Sequence, residues 1–330
     1  MSRLTEPNSS RLSTTSKGQT LWQRCTSWCY ALWKFSRPHT IIGTTLSALS
    51  LYTIAIAFSS LQPLEAIRMT RADLLIAWFV CICGNIYIVG LNQLHDVEID
   101  RINKPHLPIA SGQFSPRMGW LIVLATGAIA LVVPPFQSLA LTVTVWLSLA
   151  IGTAYSLPPI RLKRYPLWAS LCIFTVRGVV VNLGLFLHFY GRMSKPLSVP
   201  TAVWILTLFV LVFTFAIAIF KDIPDLEGDR RYNITTFTVQ LGKQAVFNLA
   251  RWVLTACYVG MILTSLVLPT LNSSIVVLSH GFILILLWLR STQVDLDDTA
   301  AIARFYQFIW KLFFLEYLIF PIACFAFASP

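Results

Sequence analysis

Two short acidic segments hold the side chains of this sequence best suited to chemistry. Asn92, Asp96 and Asp100 are spaced four apart in NQLHDVEID, and Asp225 and Asp229 are four apart in KDIPDLEGD. Residues four apart share a helix face, so each segment can aim several oxygen atoms at one point. Such oxygens bind Mg²⁺, which commonly shares them with substrate phosphates. The segments therefore predict Mg²⁺ ions that bridge a diphosphate and neutralise its charge as it leaves, which makes the four aspartates catalytic.

Basic side chains near these acids indicate where a diphosphate would be held. Arg101 and Lys104 follow the first segment, Lys221 opens the second, and Arg161 and Lys163 lie in a basic loop. Lys104 is followed by two prolines, which limit where its ammonium group can point. We expect these five side chains to bind the diphosphate.

Arg177 is a different kind of candidate, because it lies inside an apolar segment. An ionised side chain at membrane depth is expensive, so it should face a partner or an aqueous cavity. The expected partner is a carboxylate or the diphosphate itself, and Arg177 joins the predicted diphosphate-binding residues.

The elements that position these residues are membrane helices. The chain is 56% hydrophobic and 12% charged, whereas soluble domains carry about 25% charged residues. Runs of roughly 20 apolar residues indicate transmembrane helices. We predict an all-α polytopic protein with a polar, disordered tail at 1–35 and one membrane domain at 36–330. The nine expected spans are 39–61, 73–93, 118–134, 137–157, 167–190, 201–221, 246–268, 274–290 and 305–328.

The basic residues indicate the orientation. Most of the 25 Lys and Arg residues fall on the side of the N-terminus, so the positive-inside rule makes that side cytosolic. Both acidic segments then face the cytosol, and the net charge of +11 needs no nucleic acid partner. Insertion into the endoplasmic reticulum is the simplest expectation. The basic, Ser/Thr-rich first 20 residues leave a mitochondrial presequence open.

Five motifs carry a resemblance to a known family. They are SRPHTIIGT at 36–44, NQLHDVEIDRINKPHLPIASG at 92–112, YSLPPIRLKRYP at 155–166, VRGVVVNLGLFLH at 176–188 and KDIPDLEGD at 221–229. Together they resemble the UbiA superfamily, in particular its homogentisate-prenyltransferase branch. The resemblance implies a nine-helix bundle whose central cavity opens to the cytosol and holds Mg²⁺ and a prenyl diphosphate. It implies the same ligand roles for the two acidic segments.

The residues leave open what captures the allylic cation. A transferase offers the cation an electron-rich ring, whereas a cyclase folds the prenyl chain so that its own double bond attacks. The whole chain resembles more a fungal membrane-bound terpene cyclase of the fumagillin pathway, which makes a bergamotene. We therefore expect a lyase of secondary metabolism that cyclises farnesyl diphosphate to a sesquiterpene, with an aromatic prenyltransferase as the alternative. A transporter is a remote alternative, because its acids would lie near the bilayer midplane rather than at one end.

Overall fold

The computed structural model describes residues 21–194, 197–232 and 234–328. These residues form helices and no strand, which confirms the all-α class. In chain order the described helices are α1 (Leu21–Phe35), α2 (Pro38–Ala57), α3 (Pro63–His95), α4 (Val97–Asn103), α5 (Pro116–Val132), α6 (Leu139–Ser156), α7 (Pro166–Phe174), α8 (Val181–Met193), α9 (Thr201–Phe220), α10 (Leu226–Arg231), α11 (Phe237–Leu241), α12 (Lys243–Val267), α13 (Ser273–Ser291) and α14 (Thr299–Ala328).

Nine helical segments of the described chain are long and apolar enough to cross a bilayer, as predicted. Two of them are composite. A 3₁₀ turn at Pro134–Phe136 extends α5 to complete the third span, and a π-helical turn at Thr175–Val180 joins α7 to α8 in the fifth. Multi-pass insertion in a membrane follows from these lengths and compositions.

The second span begins ten residues earlier than predicted, at Pro63 rather than at 73. Its first turns carry Glu65, Arg68 and Arg71, which lower the local hydropathy without stopping the helix. A helix of 33 residues is about 50 Å long, whereas the hydrocarbon core is about 30 Å thick. One end of α3 therefore extends beyond the apolar layer.

The predicted disordered tail at 1–35 is wrong for its second part, and residues 1–20 lie outside the described residues. Residues 21–35 form α1, whose Ala31 and Phe35 are buried. Phe35 packs into the space left by Gly90 of α3, where a Cβ atom would lie 2.7 Å from its ring. The polar composition of the tail as a whole concealed this apolar helix face.

The bundle places the ends of α3 and α9 on the same side, where the acidic segments follow them. Span α9 is the most buried of the nine spans in the described chain, at 67% of its apolar window. Small residues allow neighbouring helices to approach closely. Gly178 faces the backbone of Leu211 in α9, where a Cβ atom would lie 2.6 Å from Cα, and Gly184 faces Thr144 of α6. These contacts hold the fifth span against the core of the bundle.

Candidate active site

The first acidic segment is a broken helix rather than one continuous face. Helix α3 ends at His95, Asp96 has φ −118° and ψ 18°, and α4 starts at Val97. The prediction that Asn92, Asp96 and Asp100 share a single helix face is wrong in this respect. Their spacing is nevertheless kept, because Asn92 Nδ2 donates to Asp96 Oδ2 at 2.8 Å and the Asp100 N–H donates to the Asp96 carbonyl at 2.7 Å.

The second acidic segment has a similar form. Helix α9 ends at Phe220, a turn follows, and Asp225 caps α10. The backbone N–H of Asp229 donates to the carbonyl of Asp225 at 3.1 Å, so the spacing of four is again helical. Within the turn, Lys221 Nζ pairs with Asp222 Oδ1 at 3.1 Å.

Two contacts join the acidic segments directly. Lys104 Nζ donates to both carboxylate oxygens of Asp225, at 2.6 and 2.5 Å, across 121 residues of sequence. The backbone N–H of Gly228 donates to Asn103 Oδ1 at 3.0 Å. A Cβ atom at position 228 would lie 2.3 Å from that oxygen, so glycine is needed for this approach. The acids therefore lie at one end of the bundle, as the predicted orientation requires.

Asp96 is held by two cations from the loop between α6 and α7. Arg161 Nη2 lies 2.9 Å from Asp96 Oδ1, and Lys163 Nζ pairs with the same oxygen. Lys163 is buried, and this burial lowers its pKa while the neighbouring carboxylate opposes the shift. Two of the predicted diphosphate-binding residues thus belong to the site.

Arg37 is a site residue that the sequence reasoning missed. Its Nη2 donates to Asn92 Oδ1 at 3.1 Å, and its Nε is buried with no hydrogen-bond partner in the described residues. Arg37 and Arg161 are the two non-glycine residues with positive φ in the described chain, at 53° and 39°. Strained backbone of this kind often occurs at functional sites. The signal was present in the SRPHT motif, where a basic residue directly precedes the proline that starts the first span.

The carboxyl groups of Asp100 and Asp229 are buried, and burial disfavours their ionised forms. Burial raises the pKa of Asp100, although Arg37 and Lys104 act against the shift. Burial, followed by the negative charge of Asp225, raises the pKa of Asp229 to about 7. Asp100 Oδ2 is buried with no hydrogen-bond partner among the residues that the structure describes. Additional positive charge at this place would therefore stabilise the ionised carboxylates.

The donor set fits Mg²⁺ that is shared with a substrate. In the described residues, no three acidic, His or Cys side chains are grouped to hold one metal ion by themselves. Instead, Lys163 pairs with Asp96 and Lys104 pairs with Asp225. Mg²⁺ usually binds through one or two carboxylates plus substrate phosphates rather than in an all-protein cage. The unpaired oxygen of Asp100 and the amide oxygen of Asn92 are suitable further donors.

Two predicted diphosphate-binding residues lie away from these acids. Arg101 is exposed and pairs with Glu98 of its own helix at 2.6 Å. Arg177 lies in the π-helical turn of the fifth span, over the rings of Trp310 and Phe313. The expected carboxylate partner of Arg177 is absent from the described residues.

Known proteins resemble this chain in sequence over most of its length. A model of the UbiA prenyltransferase family matches residues 44–312. Over 297 residues the chain is 53% identical to "Homogentisate phytyltransferase" of Synechocystis sp., a match that covers 89% of this chain and 95% of that protein. It is 41% identical over 307 residues to "Probable homogentisate phytyltransferase 1, chloroplastic" of Oryza sativa subsp. japonica, covering 92% and 75% of the two chains.

The fold also matches a solved structure of a UbiA homolog from Archaeoglobus fulgidus bound to GPP and Mg²⁺. The TM-score is 0.60 at 17% identity, and the match covers 90% of this chain and 99% of that one. At this identity the likeness concerns the fold. The predicted UbiA-type bundle is therefore confirmed.

The prediction of a sesquiterpene cyclase, and hence of a lyase, is wrong. The relatives with 53% and 41% identity are named as prenyltransferases, and the resemblance to a fungal terpene cyclase finds no support in these comparisons. The physical reason for the error is that both reactions begin with the same ionisation. The acidic motifs are therefore compatible with either outcome, and the expectation of a cyclase rested on the resemblance of the whole chain to a fungal terpene cyclase.

Proposed function

The chain belongs to the UbiA prenyltransferase family, and on this premise we propose that it transfers a prenyl group from a prenyl diphosphate to a homogentisate-like aromatic acceptor. One observation carries the proposal. The contact of Lys104 with Asp225 brings two acidic segments together at one end of a membrane bundle, beside a group of cations. A diphosphate with its cations requires this combination of charges.

The cations would bind the diphosphate, and the acids would bind its metal ions. Lys104 and Lys163 now neutralise Asp225 and Asp96. An arriving diphosphate competes for these ammonium groups and leaves the carboxylates available. The other proposed contacts of the diphosphate are Arg37, Arg161 and Lys221. Mg²⁺ held by Asn92, Asp96, Asp100, Asp225 and Asp229 would supply positive charge that stabilises the departing diphosphate.

Transfer then exchanges one bond for another. The C–O bond of the prenyl diphosphate breaks, and its electron pair leaves on the diphosphate. A ring carbon of the acceptor forms a C–C bond to the prenyl carbon, and the ring loses a proton. Next to the acids, Tyr306 stacks on Phe220 with centroids 6.0 Å apart. Aromatic walls of this kind exclude water and tolerate a passing positive charge.

The finer features of the substrate and of the location follow from the relatives only as proposals. Farnesyl diphosphate stays a prediction, whereas the names of the relatives favour a phytyl donor. The endoplasmic reticulum also stays a prediction, and the rice relative is named as chloroplastic. We propose that the site faces the side of the membrane on which the basic loops lie.

The test supplies purified protein with Mg²⁺, phytyl or farnesyl diphosphate, and homogentisate, and it detects prenylated product by mass spectrometry. We expect product only when all three components are present. Asp96→Ala and Asp225→Ala should each lower the rate at least about 100-fold, because each leaves bridging charge unpaired. Asp297→Ala is the matched control, because Asp297 is exposed in the loop between α13 and α14 and its loss should leave the rate unchanged.

Two results would contradict the proposal. A cyclic hydrocarbon formed without any acceptor would show that the prenyl chain captures its own cation. Near-normal transfer by both aspartate variants, in protein that unfolds at the wild-type temperature, would remove the acidic segments from the reaction.

A further inference from the structure

Arg177 is a cation inside the bundle, and no carboxylate in the described part of the chain forms an ion pair with it. Its guanidinium carbon lies 5.3 Å from the ring centroid of Trp310 and 5.6 Å from that of Phe313. Aromatic faces offset only part of the cost of a charge at membrane depth. Arg177 also lies in the π-helical turn that interrupts the fifth span, and such turns are frequent at functional sites. An anionic ligand would complete these surroundings.

Helix α2 shows how far this cation lies from the acidic segments. At the start of α2, Arg37 binds Asn92. Six residues further on, a Cβ atom at Gly43 would lie 2.9 Å from Arg177 Nη1. Six residues of α-helix span about 9 Å, which is about three hydrogen-bond lengths. A diphosphate held among the acidic segments therefore lies at a different depth from Arg177.

Aromatic rings lie between the acidic segments and Arg177. Tyr306 stacks on Phe220, the residue that precedes Lys221. One turn deeper, the ring of Trp310 lies 6.4 Å from Tyr306 and 4.8 Å from the ring of His39. His39, Tyr306 and Arg177 are each only partly buried, although all three pack against Trp310. Trp310 itself is buried in the bundle. The three residues therefore border an internal space with aromatic walls and a cation at its deep end.

We propose that Arg177 binds the carboxylate of the homogentisate-like acceptor, so that this carboxylate points away from the diphosphate. This inference rests on the proposed function and adds to it the residue that binds the acid group of the acceptor and the orientation of the acceptor. The acceptor ring lies against Trp310 and His39, between the prenyl carbon and the guanidinium. Homogentisate, an aryl acetic acid, has this form.

The experiment compares homogentisate with its uncharged methyl ester as acceptors for the wild type, Arg177→Gln and Arg177→Lys. A hydrogen-bonded ion pair of this kind is worth about 10- to 100-fold in affinity. We expect Arg177→Gln to raise the KM for the acid by that factor and to leave the KM for the prenyl diphosphate within about 2-fold. The ester should be used about equally by the wild type and the glutamine variant, and Arg177→Lys should retain part of the preference for the acid.

Arg251→Gln is the matched control. Arg251 also lies in a span and over an aromatic ring, 4.5 Å from the centroid of Trp288, but on a different pair of helices. Its replacement should leave the preference for the acid unchanged. A loss of that preference in the Arg251 variant would overturn the assignment to Arg177.

Other outcomes separate the two proposals. A raised KM for the prenyl diphosphate in Arg177→Gln would assign Arg177 to the diphosphate, and equal losses with acid and ester would show a packing role only. If the variant does not fold, the wild type decides, because equal use of acid and ester by the wild type overturns the inference. Transfer to no aromatic acceptor at all would instead refute the proposed function.

Discussion

Replacing Gly228 by alanine tests whether the contact between α4 and α10 keeps the two acidic elements in register. The new Cβ atom would lie 2.3 Å from Asn103 Oδ1 and 2.6 Å from both its Cγ and its Nδ2. Either the two helices separate by most of an ångström, or Asn103 turns away and loses its bond to the backbone N–H of Gly228. That bond is 3.0 Å long.

Both structural responses should lower the free energy of unfolding by a similar amount. Inserting a methyl group into a packed contact costs about 1–3 kcal/mol, and leaving the buried N–H of Gly228 unpaired costs about 1–3 kcal/mol. We expect a large loss of activity beside this modest loss of stability, because Asp225 and Asp229 flank the contact. A displacement of about 1 Å at a reacting site can lower kcat/KM about 100-fold.

The assay measures kcat/KM for prenyl transfer and the thermal unfolding temperature of the same detergent-purified samples. Gly260→Ala is the control, because a Cβ atom there meets no atom of the described residues within 4 Å and the position is inside helix α12. It should leave the rate unchanged and stabilise the protein slightly. Adding Asn103→Ala to Gly228→Ala removes the clash, so stability should partly return while the rate stays low.

Wild-type kcat/KM and wild-type unfolding temperature in Gly228→Ala would refute this reasoning. The two acidic elements would then be positioned by something other than their direct contact.

Three further predictions concern the charges of the site. Arg37→Gln leaves Asn92 Oδ1 without its donor and should raise the KM for the prenyl diphosphate about 10-fold; an unchanged KM in a steady-state assay would exclude Arg37 from the site. Arg101→Ala should change kcat/KM less than about 2-fold, because its pair with Glu98 is exposed and such pairs contribute little; a large loss would restore Arg101 as a diphosphate ligand. Asp229 has a pKa of about 7 in the folded protein, above the unfolded value of about 3.9, so the folded state binds the extra proton and stability falls as pH rises through 7. With metal removed by chelator, the wild type should lose about 1 kcal/mol more stability than Asp229→Asn between pH 6 and pH 8, measured by thermal unfolding of both proteins; a difference of the opposite sign would contradict the assignment.

The membrane architecture could be predicted because it depends on quantities that a sequence displays directly. A span needs about 20 apolar residues whatever surrounds it, and basic loops mark one side of the membrane. Nine spans and the placement of both acidic segments at one end followed from these two properties. The spacing of Asp225 and Asp229 also indicated their helical turn, because helix periodicity is local.

Several features of the site could not be predicted, because they depend on contacts between distant residues. The break of the helix at Asp96 and the pairing of Lys104 with Asp225 arise where separate elements meet. The sequence placed Arg101 and Lys104 three residues apart and made both candidates to bind the diphosphate, with Lys104 favoured by the prolines beside it. Only the packing of α4 against α10 turned one of them toward the acids and left the other exposed.

By itself, the sequence determined that this is a multi-pass membrane protein with two acidic segments suited to a diphosphate and its metal ions. It did not determine what captures the cation, because ionisation uses the same charges in a cyclase and in a transferase. The tertiary structure decided which cations reach the acids, brought Arg37 into the site and set Arg177 apart at greater depth. These are differences of a few ångströms between groups far apart in the chain, and only the packing of the whole bundle specifies such distances.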